Sequence, residues 1–563
     1  MRSSSAAASV LTCSAIWTLA FVTSGVAAQS APDPRDARID ALEAQVRALT
    51  RTVEALSRAA QPGAAAASPQ TRGTEVATAA VPTSAPAASR ASGDRPARIT
   101  PSRSPDQPRP VVSSEPGPNQ GFATFEGAHP SIHSMDGRFA AILHGVLHFD
   151  GGGYFQKRAG PLTTDLRRGG GANDAGHARD LSNGTVLRRA RIGIDGHLFD
   201  DFEYNVLLDF GGSGVEDAGH VFELWAQYSG IEPFHLRVGA FAPSIGLEDQ
   251  NSVQGMPLME RPAISDISRG IAGGDFREAI QLTAARRRWF AALALTTRTV
   301  GTINTGGSGT AQSFDQNFGG VARLAAIPFQ GKDWLVHVGA HGSRVFSVSD
   351  AGGPDGADGD LRHPVELRER PELRTDGTRL IDTGTIDARH VNEVGLELAV
   401  QSRNVYVQGE YEFIGIERRD RSLENPHFGG WYVEGGWVLT GERRKYNTGT
   451  FAFDAPPVSR VLDPAKGGFG AVELVGRYSY VDLNYKAGAR GTAISLDGVR
   501  GGEQRIVAAG INWYLNPVLR LMLDYQHVRV RRLSPDPTAY ATPLGAEIGQ
   551  SYDTVAVRSQ LAF

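Results

Sequence analysis

Cysteine is all but absent from this chain of 563 residues: the one present, Cys13, lies in a segment expected to be removed. Residues 1–28 read as a secretory signal, with Arg2 as the positive end, Val10 to Val22 as the apolar core and Val26-Ala27-Ala28 as the small-residue cleavage site. The mature chain then has no cysteine, and it gains nothing from disulfides. Lysine is scarce as well (Lys157, Lys332, Lys445, Lys466 and Lys486). The remaining cations are arginines, a bias that a GC-rich genome produces by itself. Net charge is only −4, so nothing in the balance calls for nucleic acid or another polyanion. After the signal, no apolar run approaches the roughly 20 residues that a membrane helix needs. The chain is therefore either soluble or a β-barrel, because lipid admits only helices and closed barrels.

Catalytic motifs are missing too. Gly151-Gly152-Gly153 and Gly169-Gly170-Gly171 read as part of a polar loop rather than a strand-to-helix turn, so they make no phosphate cradle. His144 and His148 share one face of a strand, but two imidazoles without a third ligand line a wet lumen more often than they bind zinc. No Ser/His/Asp set has a supporting motif. The expectation is a protein that is not an enzyme and has no cofactor or metal.

What the chain does have is alternation. From Val186 to Phe210 the even positions Ala190, Ile192, Ile194, Gly196 and Leu198 are apolar, and the odd positions Arg189, Arg191, Asp195 and His197 are polar. Asp200-Asp201 turn the chain, and Phe202, Tyr204, Val206, Leu208 and Phe210 resume the apolar phase. Period two marks a strand with one greasy and one wet face. The pattern recurs over 138–149, 186–199, 202–210, 220–230, 234–241, 277–285, 288–299, 316–327, 333–347, 389–401, 405–417, 427–440, 469–484, 502–515, 518–531 and 551–563. That is about sixteen strands, an even number that suits an outer-membrane barrel. Connections alternate between short (Asp200-Asp201, 230–233, Arg286-Arg287, 328–332, 402–404, Asn516-Pro517) and long (150–185, 211–219, 242–276, 300–315, 348–388, 485–501, 532–550). Short periplasmic turns and long external loops give that alternation. Segment 441–468 breaks it: either a hidden strand pair lies there, or one turn is long. Tyr204, Tyr228, Trp513, Tyr525 and Phe563 fall in the apolar phase near strand ends, as interfacial girdles require. The expected fold is an all-β, transmembrane antiparallel barrel over 121–563.

Ahead of it, Ile39, Leu42, Val46, Leu49, Val53 and Leu56 are spaced as an a/d stripe, which predicts a periplasmic coiled coil over 36–58. β-branched residues at a with Leu at d favour two strands. Residues 59–120 are rich in Ala, Pro, Ser, Thr and Gly and read as a disordered linker.

Several runs together resemble the phosphate-selective porin O and P family. They are RRARIGIDGHLFDDFEYNVLLDF at 188–210, RVGAFAPSIGLED at 237–249, MERPAISD at 259–266, GGWYVEGGWVLTGERRKYN at 429–447, GGEQRIVAAGINWYLNP at 501–517, LRLMLDYQHVRV at 519–530 and the terminal SYDTVAVRSQLAF. The final Phe563 on an alternating strand also resembles the recognition signal of outer-membrane proteins. The resemblance implies a homotrimeric outer-membrane channel of a Gram-negative bacterium, passing small anions such as phosphate beyond a third loop folded inward, here 242–276. That trimer stands against the two-stranded preference of the heptad. The anion-path candidates are Arg189, Arg191, Arg237, Arg261, Arg269, Arg277, Arg477 and Arg520, since guanidinium stays charged and offers a flat fork to oxyanions. The family's phosphate-selective members are described as adding a lysine cluster, but no lysine lies between Lys157 and Lys332. The third-loop region carries acids instead: Glu248, Asp249, Glu260, Asp266 and Asp275. Acids facing arginines across a constriction make a transverse field and modest selectivity. The alternatives are therefore a weakly selective general porin, or a structural anchor tethered through the 29–120 arm.

Overall fold

Alternating residues dictate a sheet, and the sheet closes. The structure is a computed structural model that describes residues 121–563, apart from 127–128, 157–180, 213–218, 273–275, 300–308, 311–314, 351–362 and 536–543. The expected signal 1–28, coiled coil 36–58 and linker 59–120 lie outside the described residues.

A short hairpin, β1 (Gly121–Glu126) and β2 (His129–Ser134), leads into β3 (Phe139–Gln156), β4 (Gly184–Leu198), β5 (Phe202–Asp209), β6 (His220–Ile231) and β7 (Phe234–Phe241). Helix α1 (Ala263–Arg269) follows, then β8 (Arg277–Arg286), β9 (Trp289–Thr299), the two-residue β10 (Gly309–Thr310), β11 (Phe318–Gln330) and β12 (Trp334–Ser347). Next come β13 (Pro364–Glu369), β14 (Ile381–Ser402), β15 (Val405–Arg418), β16 (His427–Val438), and a small pair, β17 (Tyr446–Asn447) and β18 (Ala452–Phe453). The chain ends with β19 (Ala471–Tyr485), β20 (Val499–Tyr514), β21 (Leu519–Arg531) and β22 (Ser551–Ala562). Leaving aside β1, β2, β10, β13, β17 and β18, these form a closed 16-strand antiparallel barrel in which each strand pairs with the next and β22 returns to β3. Phe563 completes the seam: its N–H donates to Gly145 O at 3.0 Å, and its carbonyl accepts from Gly145 N at 2.7 Å.

Each alternating segment of the sequence corresponds to one barrel strand. Outward side chains form an apolar belt; on β21 these are Leu519, Leu521, Leu523 and Tyr525, all exposed. Beyond Tyr525 the same face carries His527, Arg529 and Arg531, so the belt ends there and the strand projects past it. Tyr525 is thus mid-strand yet at the edge of the apolar zone, and its phenol donates to Asp553 at 2.7 Å. A lipid-facing belt with polar margins is what a bilayer requires of a barrel.

One boundary differs from the sequence reading for a physical reason, and one segment left open there is resolved. The Gly151–Gly153 run is part of β3, not a loop, and pairs with β22. A Cβ at Gly152 would meet Thr375 Oγ1 at 2.7 Å, so the bare backbone admits the 370–380 segment. Segment 441–468 holds the β17–β18 hairpin and is a long turn at the end where the other turns are short. It folds into the lumen: Phe451 and Phe453 are buried with Phe290, Ile327, Tyr406 and the loop residue Leu247.

Candidate functional site

Inward-facing positions of β14, β15 and β16 are buried without exception near the mid-barrel, whereas on β4, β6 and β7 the buried Arg189 and Gln227 alternate with Asp195, Glu223, Trp225, His235 and Arg237, which are half-buried. Segments 242–272 and 363–380 therefore fill one side of the lumen, and water reaches the other.

The third loop is held by the wall through its backbone. Arg520 donates to the carbonyls of Gln254 and Met256 at 3.0 and 2.8 Å, Arg558 to Met259 O at 2.5 Å, and Arg477 to Glu260 O at 2.8 Å. Glu410 accepts the N–H of Leu247 and of Glu248, and Asp524 that of Met259 at 2.9 Å. Pro262 starts α1, whose first N–H, at Ala263, donates to Glu372 Oε1 at 3.0 Å; Ile264 and Ile267 pack into the apolar cluster beneath the loops. A loop bonded through so many main-chain groups is fixed in position, because each buried donor or acceptor left unmade costs about 1–3 kcal/mol.

Glu260 is the electrostatic hub. Arg188 grips it bidentately (2.8 and 3.0 Å), Arg558 reaches it at 2.9 Å and Arg374 at 3.2 Å. Burial alone would raise its pKa, but Arg188, Arg189, Arg374 and Arg558 outweigh burial and hold the carboxyl well below its usual range. Arg558 also chelates Asp150, and Arg374 reaches Asp266 at 2.5 Å. Guanidiniums outnumber carboxylates here: Arg188, Arg189, Arg370, Arg374, Arg379 and Arg558 against Asp150, Glu260, Asp266 and Glu369. Arg379 has buried Nε and Nη2 atoms with no hydrogen-bond partner among the described residues. Further round the barrel from this basic corner, β14–β16 carry Glu393, Glu397, Glu410, Glu412 and Glu434, all buried, and Arg477 links Glu434 to the carbonyl of Glu260. The third-loop acids do not face arginines across an open passage but pair with them directly, Glu260 with Arg188, Arg374 and Arg558, Asp249 with Arg269 and Asp266 with Arg374, while Asp275 lies outside the described residues; the carboxylates of β14–β16 are a separate acidic wall that the sequence reading did not name.

The candidate arginines fall into distinct places. Arg191 pairs with Asp209 at 2.7 Å, and Arg237 donates to Gln227 at 2.9 Å and lies over Trp225; both face the half-exposed side. Arg189 is buried and contacts His148 Nδ1 at 3.1 Å. Arg477 pairs with Glu434 and Glu372. Arg269 pairs with Asp249 at 2.6 Å. Arg261, Arg277 and Arg520 donate to carbonyls of the third loop. His144 and His148 do share the lumen face, with different partners, Asn205 and Arg189. Sequence reasoning missed Arg188, Arg370, Arg374, Arg379 and Arg558. Arg188 sits in the lipid phase by parity, but the ladder slips between His148/Arg189 and Phe149/Leu187, and that bulge turns it inward. Leu187, at an odd position, is accordingly exposed, while Ile192, at an even one, is exposed beyond the bulge. Arg370, Arg374 and Arg379 lie in a loop with no period to read.

An uncharacterised protein of Caulobacter vibrioides is 27% identical over 352 residues, covering 62% of this chain; the chain spans 63% of that relative's length. Porin O of Pseudomonas aeruginosa is 23% identical over 432 residues, 74% of this chain and 90% of that one. Among solved structures, the anion-selective porin from Comamonas acidovorans is similar at 11% identity and a TM-score of 0.42, over 76% of this chain and all (100%) of its own. OmpT of Vibrio cholerae is similar at 10% identity and a TM-score of 0.42, over 76% and 98%. With the barrel closed, the third loop seated inside it, and residues 166–563 matching the family throughout, this chain is an outer-membrane porin and belongs to the phosphate-selective porin O and P family.

Proposed function

We propose that the channel prefers anions, with phosphate-type oxyanions as the solutes recognised. The observation that carries this is the surplus of guanidiniums around Glu260, beside the half-buried Arg191 and Arg237 on the side that water reaches. Fixed positive charge in a low-dielectric passage selects anions, and conduction requires that each contact stay shallow. The same reading has three chains assembled in outer-membrane lipid, with the 29–120 arm in the periplasm. It is a channel, not an enzyme, and needs no cofactor.

The acidic wall favours a second reading, a weakly selective porin, because opposed charges across a lumen polarise it without excluding either sign. Purified protein in planar bilayers under a KCl gradient distinguishes them. Anion preference gives a clear reversal potential, and a value near zero refutes it. Block of the chloride current by phosphate tests the finer claim. A complete lack of conductance steps would leave the structural anchor.

A further inference from the structure

The acidic wall contains a group that neither the channel nor its selectivity uses. His341 on β12 stands in register with Gly395 on β14, which faces Glu412 on β15. Glu393 and Glu397 flank Gly395 on the same inward face. A Cβ at residue 395 would lie 2.1 Å from His341 Nε2, so this glycine is the gap through which the imidazole crosses toward Glu412. Nε2 is 3.3 Å from Glu393 Oε1 and 3.8 Å from Glu412 Oε2, and the three ligand atoms lie within 4.8 Å of one another.

We propose that His341, Glu393 and Glu412 form a binding site for a divalent transition-metal ion of the zinc class. Ligand atoms 2.0–2.2 Å from a tetrahedral zinc are about 3.3–3.6 Å apart, so the first spacing fits as it stands and the second needs a small rotation of Glu412. Two further observations point to a missing ligand. First, His341 Nε2, both carboxylate oxygens of Glu393 and Glu412 Oε2 are buried with no hydrogen-bond partner among the described residues. Second, the opposite ring nitrogen is already fixed. His341 Nδ1 lies 3.0 Å from Glu397 Oε1, and Glu397 is gripped bidentately by Arg323 at 2.9 and 2.8 Å and contacted by His337 at 3.1 Å. A carboxylate accepting the Nδ1–H hydrogen bond leaves the Nε2 lone pair aimed at the other two ligands, which is how metal-binding histidines are oriented. The overlapping group of His341, Glu397 and Glu410 is the poorer candidate. Glu410 is occupied by the N–H of Leu247 and Glu248 and the Tyr432 hydroxyl, and Glu397 by Arg323.

Charge leads to the same place. Glu393, Glu397, Glu410 and Glu412 face one guanidinium, Arg323, so a neutral His341 leaves an excess of negative charge that a dication reduces. Imidazole among the ligands favours zinc, iron, copper or nickel over magnesium or calcium. The fourth position falls to water or to the second Glu393 oxygen.

The test does not depend on conduction, so it stands whether or not the channel prefers anions. Untagged full-length protein is folded into detergent with ZnCl2, desalted, and its metal content measured by mass spectrometry; Co2+ replaces Zn2+ for electronic spectra. The expected result is one ion per chain and a Co2+ d–d band of low-symmetry, four-coordinate type. Both are lost in His341→Gln and in Glu393→Gln and kept in His144→Gln, while all three variants migrate as folded, heat-modifiable barrels. If one variant fails to fold, the other decides. No retained zinc in the parent protein, which leaves only an imidazolium among carboxylates, overturns the site. Zinc retained equally by both ligand variants also overturns it.

Discussion

Replacing Glu260 by Gln removes one charge and almost no volume from the point where the third loop meets the basic corner. Three guanidiniums lose their shared partner, though unequally. Arg558 keeps its two bonds to Asp150, both 2.6 Å, and Arg374 keeps Asp266 at 2.5 Å. Arg188, which holds the two Glu260 oxygens, is left with one neutral acceptor. Breaking a buried pair from one side costs about 3–5 kcal/mol. Arg188 is 19% exposed and can recover some hydration, so the lower end applies, about 3 kcal/mol. At 1.4 kcal/mol per tenfold, that weakens the seated loop against an unseated one by roughly two orders of magnitude. Single-channel recordings of E260Q should therefore show added open-channel noise or substates. The reversal potential in a KCl gradient should move toward greater anion preference, since a lumen carboxylate is gone. A quiet channel with the parent's reversal potential would refute the claim that this carboxylate is charged and holds the loop.

Acid should leave the parent's latch intact over a wide range. The folded-state pKa of Glu260 is depressed, so its contribution is present above the ordinary value of 4.5 and is lost only as pH falls through the depressed one; channel noise at pH 5 should match that at pH 7. Arg237→Gln and Arg379→Gln should each reduce the reversal potential toward zero without altering heat-modifiable migration, and an unchanged potential removes that residue from the anion path. Replacing 441–468 with a short turn withdraws Phe451 and Phe453 from the lumen and should raise single-channel conductance; equal conductance would mean the segment does not narrow the passage. A chain lacking 29–120 should conduct as the parent does and give the same cross-linked subunit number; a change in that number would return the coiled coil to the centre of assembly.

The wall was legible because lipid imposes a rule that the sequence must obey position by position. A strand with apolar Leu519, Leu521, Leu523 and Tyr525 outside and Arg520, Met522, Asp524 and Gln526 inside has one orientation only, and the long loops separate one strand from the next. The lumen obeys no such rule. What lines it depends on which segments fold inward, and segments 370–380 and 441–468 carry no periodicity that would announce it. Even within the wall, parity fails wherever the ladder slips. One extra residue at Arg188 changes a lipid-facing position into the principal ligand of Glu260, and no count of alternating residues can locate the slip.

The carboxylates of β14–β16 were not singled out from the sequence, although parity places them. Glu393, Glu397, Glu410 and Glu412 sit at inward positions of adjacent strands, so a sheet brings them within reach of one another whatever their separation in the chain. An acidic wall of this kind is costly in a low dielectric unless each carboxylate is met. Most of it is met by elements from elsewhere: loop amides for Glu410, Arg323 for Glu397 and Arg477 for Glu434. Glu393 is the exception: both its oxygens are buried with no guanidinium or amide bonded to them among the described residues, and its ionisable neighbour is His341 at 3.3 Å. If electrostatic balance governs this wall, a cation belongs beside Glu393. Glu393→Gln should then stabilise the metal-free barrel while weakening the metal-loaded one, an inversion that a residue serving only to pack the wall could not produce. Melting curves in EDTA and in ZnCl2 measure both signs, and a loss of stability in EDTA would show that the carboxylate is already compensated within the protein.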